Sequence, residues 1–386
     1  MTRIERIDVL TARLPFRFSF GHALAERSES TNVYVRLTLD DGTVGYGEGV
    51  PREYVTGETV ESAQAALCER LVPALLGREL DGPEDAPAAI DGAAPIAGPP
   101  LSNSARCALE LALLDAAGKH FGRSVGAWLS PQLSPVVRYD AVIPFSSPKK
   151  LTAIAIVVRA LGVRQVKIKV GDDLERDLRS LRLLRRLLGS GVDLRVDANC
   201  AWPTVDAALA SIAAMRRYEI SAVEEPLPPH DLDSLARITA ETPETVIVDE
   251  SLRTPADAAA LIGARACNAF NIRVSKCAGL LTSMRIARDA AAAGLDVVVG
   301  AQVGESGILS AAGRHFAAAI SPRYVEGSGG SLLLKEDLTA ERMLPGRGGR
   351  ATRFTGSGLG VHVVESTLAR YQLESRTFVA ERRHAA

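Results

Sequence analysis

The chain has 386 residues, of which 47% are hydrophobic and 5% aromatic, and this composition fits a globular protein of two domains with a large core. Lys and Arg total 45 against 46 acidic residues, a balance that argues against nucleic acid or an anionic membrane as a partner. The segment MTRIERIDVLTARLPF lacks the apolar middle of a secretion signal, and no apolar run reaches the roughly 18 residues of a spanning helix, so we expect a cytoplasmic protein.

The first 125 residues predict a small α+β domain. Period-two alternation indicates three strands that form a meander, at 3–16, 32–39 and 43–49. Two helices follow at 59–77 and 102–122, since both segments carry helical periodicity, begin at Ser or Thr and end at Gly.

Residues 126–354 predict a second domain with a different sequence pattern, in which short β-rich runs alternate with helix-length segments. This order argues for a parallel βα array, and eight strands favour closure into a barrel, with an open doubly wound sheet as the alternative. No GxGxxG motif follows an early strand, which argues against a dinucleotide site. The eight runs are 136–143, 165–170, 193–199, 222–227, 246–251, 269–276, 296–302 and 323–327.

The second of these runs contains two lysines, Lys167 and Lys169, in the sequence VKIKVG. Side chains alternate along a strand, so both ammonium groups face one side and the aliphatic residues face the other. On this fragment alone an exposed face of an ordinary half-buried strand is the favoured interpretation. In a βα barrel, however, catalytic groups lie at the carboxyl ends of the strands, where this pair is found.

Carboxylates end the next three runs: Asp197, Glu224 and Asp249. Taken singly, each is more often a helix cap or a salt-bridge partner. Together they converge on one point and leave several charges unpaired unless a cation lies among them. Mg²⁺, or Mn²⁺ in its place, suits such an oxygen site, and no His or Cys competes as a softer ligand.

Lys276 ends the following run and therefore lies across the predicted metal from the lysine pair. A small-molecule carboxylate bound to the metal would present its α-carbon between Lys169 and Lys276. Two adjacent ammonium groups lower each other's pKa, so Lys169 can act as a base while Lys167 supplies charge. The metal and the lysines would stabilise the enediolate that forms when the α-proton leaves.

The motifs VKIKVG, DANCAW, EEPLP, DES and SKCAG, in this order, resemble the enolase superfamily, specifically its muconate-lactonizing-enzyme-like subgroup. The resemblance implies a modified TIM barrel, (β/α)7β, with an N-terminal α+β capping domain that the tail at 355–386 completes. It implies Lys169 and Lys276 as the acid/base pair and a magnesium ion on the three carboxylates. It also implies that three further side chains are polar groups around the metal and the pocket: Asn199, Glu250 and Glu305.

Two loops bear on the substrate. The segment PREYVTGET at 51–59 resembles the capping loop of dipeptide epimerases, which lies over the active site together with the segment at 16–28. His22, Arg52 and Tyr54 in these loops are therefore candidates for substrate contacts, although a loop His or Arg is usually just solvated.

The end of the eighth run departs from the dipeptide epimerases. Those enzymes carry an Asp-x-Asp pair there to hold the substrate ammonium, whereas this chain has Gly327 and Gly329. Glu326 is a candidate to replace one acid, and a helix cap or a residue of the loop surface is an equally good interpretation of it. SKCAG also replaces the commoner Lys-x-Gly-Gly, which affects the turn after Lys276.

The sequence therefore predicts an isomerase of the enolase superfamily that removes the α-proton of a carboxylate. We expect racemisation or epimerisation of an amino-acid derivative or dipeptide, by a homo-oligomer. Muconate-type cycloisomerisation is the first alternative and dehydration of a hydroxy acid the second. Two other classes are a Schiff-base lyase that uses a lysine nucleophile and a metal-stabilised binding scaffold without activity.

Overall fold

The structure, a computed structural model, describes residues 1–22, 25–93, 100–171, 173–229, 231–327 and 330–381. It contains two sheets of very different construction and one small strand pair. Within the ranges described, none of the helices combines the length and the apolar character that crossing a membrane would require.

The first sheet is antiparallel and joins the two ends of the chain. Its strands lie in the order β15-β1-β2-β3, and the short strand β4 pairs with β1. The meander expected from the sequence is therefore present, with a fourth long strand from the C-terminal tail. The strands are β1 (Thr2–His22), β2 (Ala25–Leu39), β3 (Val44–Gly49), β4 (Glu79–Leu80) and β15 (Gln372–Val379).

The helices of this part include one that is almost wholly buried, α5 (Asn103–His120). It lies directly on β3, because three alternate residues of that strand are glycines, Gly45, Gly47 and Gly49. A Cβ atom on any of them would collide with the helix backbone. The other helices before the barrel are α1 (Glu53–Thr56), α2 (Val60–Ala66), α3 (Val72–Leu75), α4 (Asp85–Ala93) and α6 (Gly126–Leu129).

The second sheet has eight parallel strands in sequence order, and seven helices connect them. This is the (β/α)7β arrangement, and the predicted fold class is confirmed. The strands are β6 (Ala141–Ile143), β7 (Gln165–Lys169), β8 (Asp193–Asp197), β9 (Ile220–Glu224), β10 (Thr245–Val248), β11 (Ala269–Arg273), β12 (Asp296–Gly300) and β13 (Tyr324–Val325). The connecting helices are α7 (Pro148–Leu161), α8 (Leu174–Leu188), α9 (Val205–Met215), α10 (Leu232–Glu241), α11 (Pro255–Ala264), α12 (Leu280–Ala292) and α13 (Gly307–Ala319).

The first β-rich run, 136–143, divides into two strands. Its first part, β5 (Val136–Arg138), pairs antiparallel with β14 (Arg350–Thr352) outside the barrel, and only its second part, β6, enters the barrel. The prediction of a single strand is wrong here, because the chain changes partner at Tyr139 and Asp140. In the described residues after the barrel there are two short α-helices, α14 (Gly330–Leu333) and α15 (Glu365–Tyr371). The boundaries proposed at 125 and 354 stay predictions.

Glu48 on β3 joins the first sheet to the barrel. This buried carboxylate accepts hydrogen bonds from the backbone nitrogens of Ser306 (2.9 Å) and Leu309 (3.1 Å) and from the Ser306 hydroxyl (2.6 Å). These donors form the first turn of α13, whose amide groups and dipole favour a negative charge. A carboxylate of the first sheet thus caps helix α13 of the barrel.

We expect Glu48→Ala to lower the free energy of unfolding by about 2 to 4 kcal/mol, since it leaves buried donors of α13 without an acceptor. Urea unfolding followed by circular dichroism measures the loss. Glu29→Ala is the control, because Glu29 pairs with Arg13 at a half-exposed position and its loss should change stability by less than about 1 kcal/mol. Equal losses in the two variants would contradict the role given to Glu48.

Candidate active site

The two lysines of β7 face the interior of the barrel at the carboxyl ends of the strands. Lys167 and Lys169 are both buried, while Val166 and Ile168 pack into the hydrophobic core on the other side of the strand. Lys169 lies beside Asp197 in the pairing of β7 with β8. The strand parity therefore orients the pair as the sequence predicts.

Lys167 lies among three carboxylates. Its Nζ is 3.0 Å from Asp197 Oδ2, 2.9 Å from Glu224 Oε1 and 2.7 Å from Glu326 Oε1. Burial lowers the pKa of Lys167, but the carboxylates outweigh burial and raise the pKa above its ordinary value. The expected lowering by the neighbouring ammonium is therefore wrong for Lys167, which is a fixed positive charge.

Lys169 is held by groups of β8 and the loop after it. Its Nζ donates to Asp197 Oδ2 at 2.6 Å and to Asn199 Oδ1 at 2.5 Å, and Asn199 in turn donates to Glu250 Oε1 at 3.2 Å. Burial raises the pKa of Asp197, but Lys167 and Lys169 outweigh burial and hold the pKa well below its usual value. Asp197 is thus an anion shared by two ammonium groups.

Lys276 lies on a turn rather than on a strand. Strand β11 ends at Arg273, three residues earlier than the predicted strand. The Lys276 ammonium donates to Asp249 Oδ1 at 2.7 Å and to the Asn271 carbonyl at 2.9 Å. Burial lowers the pKa of Lys276 to about 8, so a sizeable fraction is neutral near physiological pH and able to accept a proton.

The three predicted metal ligands are fully buried at the ends of three consecutive strands. Asp197 and Glu224 are direct neighbours in the pairing of β8 with β9, and Asp249 follows β10. The Lys167 ammonium lies between the first two. Asp249 Oδ2 accepts no hydrogen bond from the described residues, although the Arg273 guanidinium is in ion-pair contact with it. This donor set consists of oxygen alone and fits Mg²⁺.

A second group of possible metal ligands is more compact than Asp197, Glu224 and Asp249. Ligand atoms of Cys200, Glu225 and Glu250 lie within 4.8 Å of one another. Glu225, however, already accepts hydrogen bonds from Ser251 and from the Asp249 amide, so this carboxylate fixes the loop after β10. Burial raises the pKa of Glu250 to about 8 and that of Glu225 to about 7, which makes both weaker anionic ligands than Asp197.

Sequence reasoning missed Arg195, which lies fully buried one layer below Asp197. Its guanidinium pairs with Asp140 (2.6 Å) and with Glu326, and it stacks 4.2 Å above the ring of Tyr324. Burial raises the pKa of Glu326, but Lys167 and Arg195 outweigh burial and lower the pKa to about 2. Arg195 has the same strand parity as Asp197, and that parity is the signal that could have identified it.

Glu305 follows β12 and lines a small cavity together with Glu326 and Tyr139. Burial raises its pKa to about 8, and the neighbouring Glu48 contributes in the same direction. At neutral pH this carboxyl group is therefore mostly protonated and can donate a hydrogen bond. The role of Glu305 at the substrate pocket stays a prediction.

The candidate substrate contacts have varied surroundings. Arg52 is buried, and its guanidinium donates to the Pro51 and Val303 carbonyls, each at 2.7 Å. Tyr54 lies half-buried under the guanidinium of Arg27. The side chain of His22 lies outside the described part of the chain.

Gly327, the first of the two glycines that replace the expected acids, has a φ of 107°. Gly329 lies outside the described residues. Glu326 is bound by Lys167 and Arg195, as described above.

Two family models match the chain. Residues 1–129 match the N-terminal domain of the mandelate racemase/muconate lactonizing enzyme family, and residues 151–367 match the enolase C-terminal domain-like family. The chain belongs to this family of the enolase superfamily, and the resemblance stated from the motifs is confirmed.

Curated relatives include an L-Ala-D/L-Glu epimerase of Bacillus subtilis, 31% identical over 82% of this chain and 85% of the relative. An N-succinyl-L-Arg/Lys racemase of Bacillus cereus is 29% identical over 82% of this chain and 84% of the relative. Both names describe isomerases, and the predicted enzyme class is confirmed.

Solved structures with the same fold include two with ligands. A muconate lactonizing enzyme of Pseudomonas fluorescens complexed with muconolactone has a TM-score of 0.87 and 27% identity, and the match covers 96% of this chain and 99% of that one. A dipeptide epimerase of Enterococcus faecalis complexed with Mg and L-Leu-L-Tyr has a TM-score of 0.84 and 25% identity, and the match covers 93% and 99%.

We expect Arg195→Met to lower the free energy of unfolding by about 3 to 5 kcal/mol, because it leaves Asp140 as a buried charge without its partner. Adding Asp140→Asn should recover part of the loss, and urea unfolding measures both variants. Arg237→Met is the matched control, since Arg237 pairs with Asp206 on the surface and should cost less than about 1 kcal/mol. A single variant as stable as the control would contradict the role of the buried pair.

Proposed function

We propose that this member of the mandelate racemase and muconate lactonizing enzyme family racemises an amino-acid derivative whose nitrogen is acylated. The observation that carries the proposal is the pair Lys169 and Lys276. Each ammonium is buried and hydrogen-bonded to a different carboxylate, Asp197 for one and Asp249 for the other. Two such groups on either side of a bound carboxylate can work on opposite faces of its α-carbon.

The metal site of the proposal consists of Asp197, Glu224 and Asp249, whose oxygen-only donor set fits Mg²⁺. When bound, Mg²⁺ supplies positive charge against the substrate carboxylate while the α-carbon loses its proton. The Lys167 ammonium adds fixed charge on the same side, because its three carboxylate partners keep it protonated.

The proton steps fall to the lysines. Neutral Lys276 Nζ takes the α-proton from one face of the substrate, and Lys169 Nζ delivers a proton to the opposite face. In the reverse direction the two lysines exchange roles. Glu305, protonated at neutral pH, donates a hydrogen bond to a substrate oxygen that gains charge in the transition state.

The residues at the end of the eighth barrel strand, β13, are the reason for proposing a substrate with an acylated nitrogen. In the described part of its carboxyl end, residues 323–327, the acid is Glu326, and Lys167 and Arg195 already neutralise it. A free substrate ammonium would therefore lack an available anion there, whereas an amide needs none. The N-succinyl-L-Arg/Lys racemase among the relatives supports this class.

Muconate-type cycloisomerisation is the second candidate. The same absence of an available anion at 323–327 suits a substrate without an ammonium group, and the muconate lactonizing enzyme has a closely similar fold. Both candidates share the small-molecule carboxylate as partner. The homo-oligomer and the cytoplasmic location stay predictions.

Incubation in D₂O with N-acyl amino acids, free dipeptides and muconates, followed by proton NMR, tests the reaction. We expect deuterium at the α-carbon of the N-acyl amino acids together with inversion, because each lysine exchanges its protons with solvent. Lys169→Ala and Lys276→Ala should each reduce racemisation by about 10³-fold or more, while one enantiomer still exchanges its α-proton in each variant. A lactone as the sole product, or unchanged inversion in both variants, would contradict the proposal.

Removal of divalent ions tests the metal site. We expect exhaustive chelation to abolish turnover and added Mg²⁺ or Mn²⁺ to restore it, because three buried carboxylates form the proposed site. Asp249→Asn should weaken Mg²⁺ binding, measured directly by isothermal titration calorimetry of the metal alone. Full activity of an enzyme shown by elemental analysis to be metal-free would refute this part of the proposal.

A further inference from the structure

Helix α5 contacts the turn that carries Lys276 through one face. Asn103, Arg106 and Glu110 follow one another at spacings of three and four residues, so they lie on the same side of the helix. All three are buried, and each has one partner in the segment 275–281 of the barrel. This polar face occurs in a helix whose remaining buried residues are mostly apolar.

The contacts reach Lys276 itself. Asn103 Nδ2 donates to the Lys276 carbonyl at 2.7 Å and to the Arg253 carbonyl at 3.0 Å. Arg106 donates to the Ala278 carbonyl. Glu110 accepts the Leu281 amide at 3.1 Å and so caps helix α12. The helix therefore fixes the Lys276 carbonyl and the backbone that follows it as far as Leu281.

The turn needs such support, because its backbone is unusual. Ala278 and Gly279 have φ values of 62° and 106°, in the left-handed region that Ala rarely adopts. A Cβ atom on Gly279 would collide with the Glu110 carboxylate, so this glycine allows the close approach of helix and turn. Strain of this kind persists only where the surroundings fix the conformation.

Among the residues that the structure describes, Lys169 shows no comparable dependence on the helix. It lies on a regular strand, and its partners Asp197 and Asn199 belong to the barrel. The two lysines thus differ in what positions them. One is held by the barrel, and the other lies on a turn held by a helix that packs against the first sheet.

The loop at 51–59 is connected to the same helix. Glu58 Oε1 accepts hydrogen bonds from the amide (2.9 Å) and the hydroxyl (2.7 Å) of Ser104, the residue next to Asn103. The Val50 amide donates to the Ser275 hydroxyl at 2.8 Å, on the other side of the turn. The loop, the first turn of α5 and the Lys276 turn form one hydrogen-bonded unit.

We infer that Asn103, Arg106 and Glu110 are positioning residues for Lys276, so that the domain containing α5 controls proton transfer on one face of the substrate only. The inference rests on the proposed two-lysine function and adds an asymmetry to it. Displacement of Lys276 Nζ slows proton abstraction from the enantiomer that it serves. Abstraction by Lys169 from the other enantiomer proceeds as before.

Asn103→Ala tests the inference, with Lys276→Ala and Lys169→Ala defining which enantiomer each lysine serves. We expect racemisation to fall by roughly 100-fold through kcat, the effect of a displacement of about 1 Å. It falls equally in both directions, because the equilibrium constant between enantiomers is one. Exchange of the α-proton in D₂O should fall by a similar factor for the Lys276 enantiomer and stay near the wild-type rate for the other.

The matched pair Glu110→Gln and Asp115→Asn separates positioning from general damage to α5. Both replace a buried acid of this helix by its amide, but Asp115 bonds to Tyr46 and Leu359 instead of the turn. In Glu110→Gln we expect slower α-proton exchange from the Lys276 enantiomer only. In Asp115→Asn we expect the ratio of the exchange rates of the two enantiomers to stay at the wild-type value. Glu110→Gln also provides the readout if Asn103→Ala does not fold.

Three outcomes are distinguishable. If Lys276→Ala loses exchange from both enantiomers or from neither, the two-lysine function is wrong. If Lys276→Ala is one-sided but Asn103→Ala and Glu110→Gln slow both enantiomers equally, the positioning role is wrong. One-sided loss in Asp115→Asn would also overturn the inference, since that residue does not touch the turn.

Discussion

The buried carboxylates at the carboxyl ends of the barrel strands depend on one counter-charge, the ammonium group of Lys167. Three carboxylates surround it, from β8, β9 and the residue after β13. Buried carboxylates without such a partner would be strongly destabilising. The same network also closes the barrel, because β6 and β13 are very short and Arg195 bridges Asp140 on one side of the seam to Glu326 on the other. At the seam the Asp140 amide donates to the Val325 carbonyl, so ion pairs supplement sparse backbone pairing.

Backbone strain is concentrated around this network. Asn199, Cys200, Glu225 and Ala278 all have positive φ values without being glycines, and all lie in the turns that follow the strands bearing the site. Each such residue costs of order 1 kcal/mol or more and is tolerated where neighbours fix it. Glu225, for example, accepts three hydrogen bonds from the next loop. These strained turns lower the stability of the folded state locally, and they fix the direction of the reacting side chains.

The sequence predicts the barrel and much of the site because strand periodicity is a local property. The parity of Lys167 and Lys169 places both inside, and Asp197 and Glu224 end their strands as the pattern indicates. The divided strand at 136–143 could not be read, since a change of partner leaves the alternation intact. The partners of Glu326 could not be predicted from the sequence either, because Lys167 and Arg195 are brought to it only by closure of the barrel. Asn103, Arg106 and Glu110 carry a visible signal, a polar stripe on an apolar helix, but the stripe alone does not name its target.

The pairing of the first strand with the last has a consequence for biosynthesis. Strand β1 lies between β2 and β15, with Arg6 opposite Val379 and Val9 opposite Arg376. During translation β1 leaves the ribosome before the barrel, yet its second neighbour, β15, is made only after the whole barrel. The nascent chain therefore carries an open sheet edge while the whole barrel is made, and open edges invite pairing with other chains. A product terminated before residue 372 would retain every lysine and carboxylate of the site and still expose this edge, so an intact site and a complete first sheet are separate requirements.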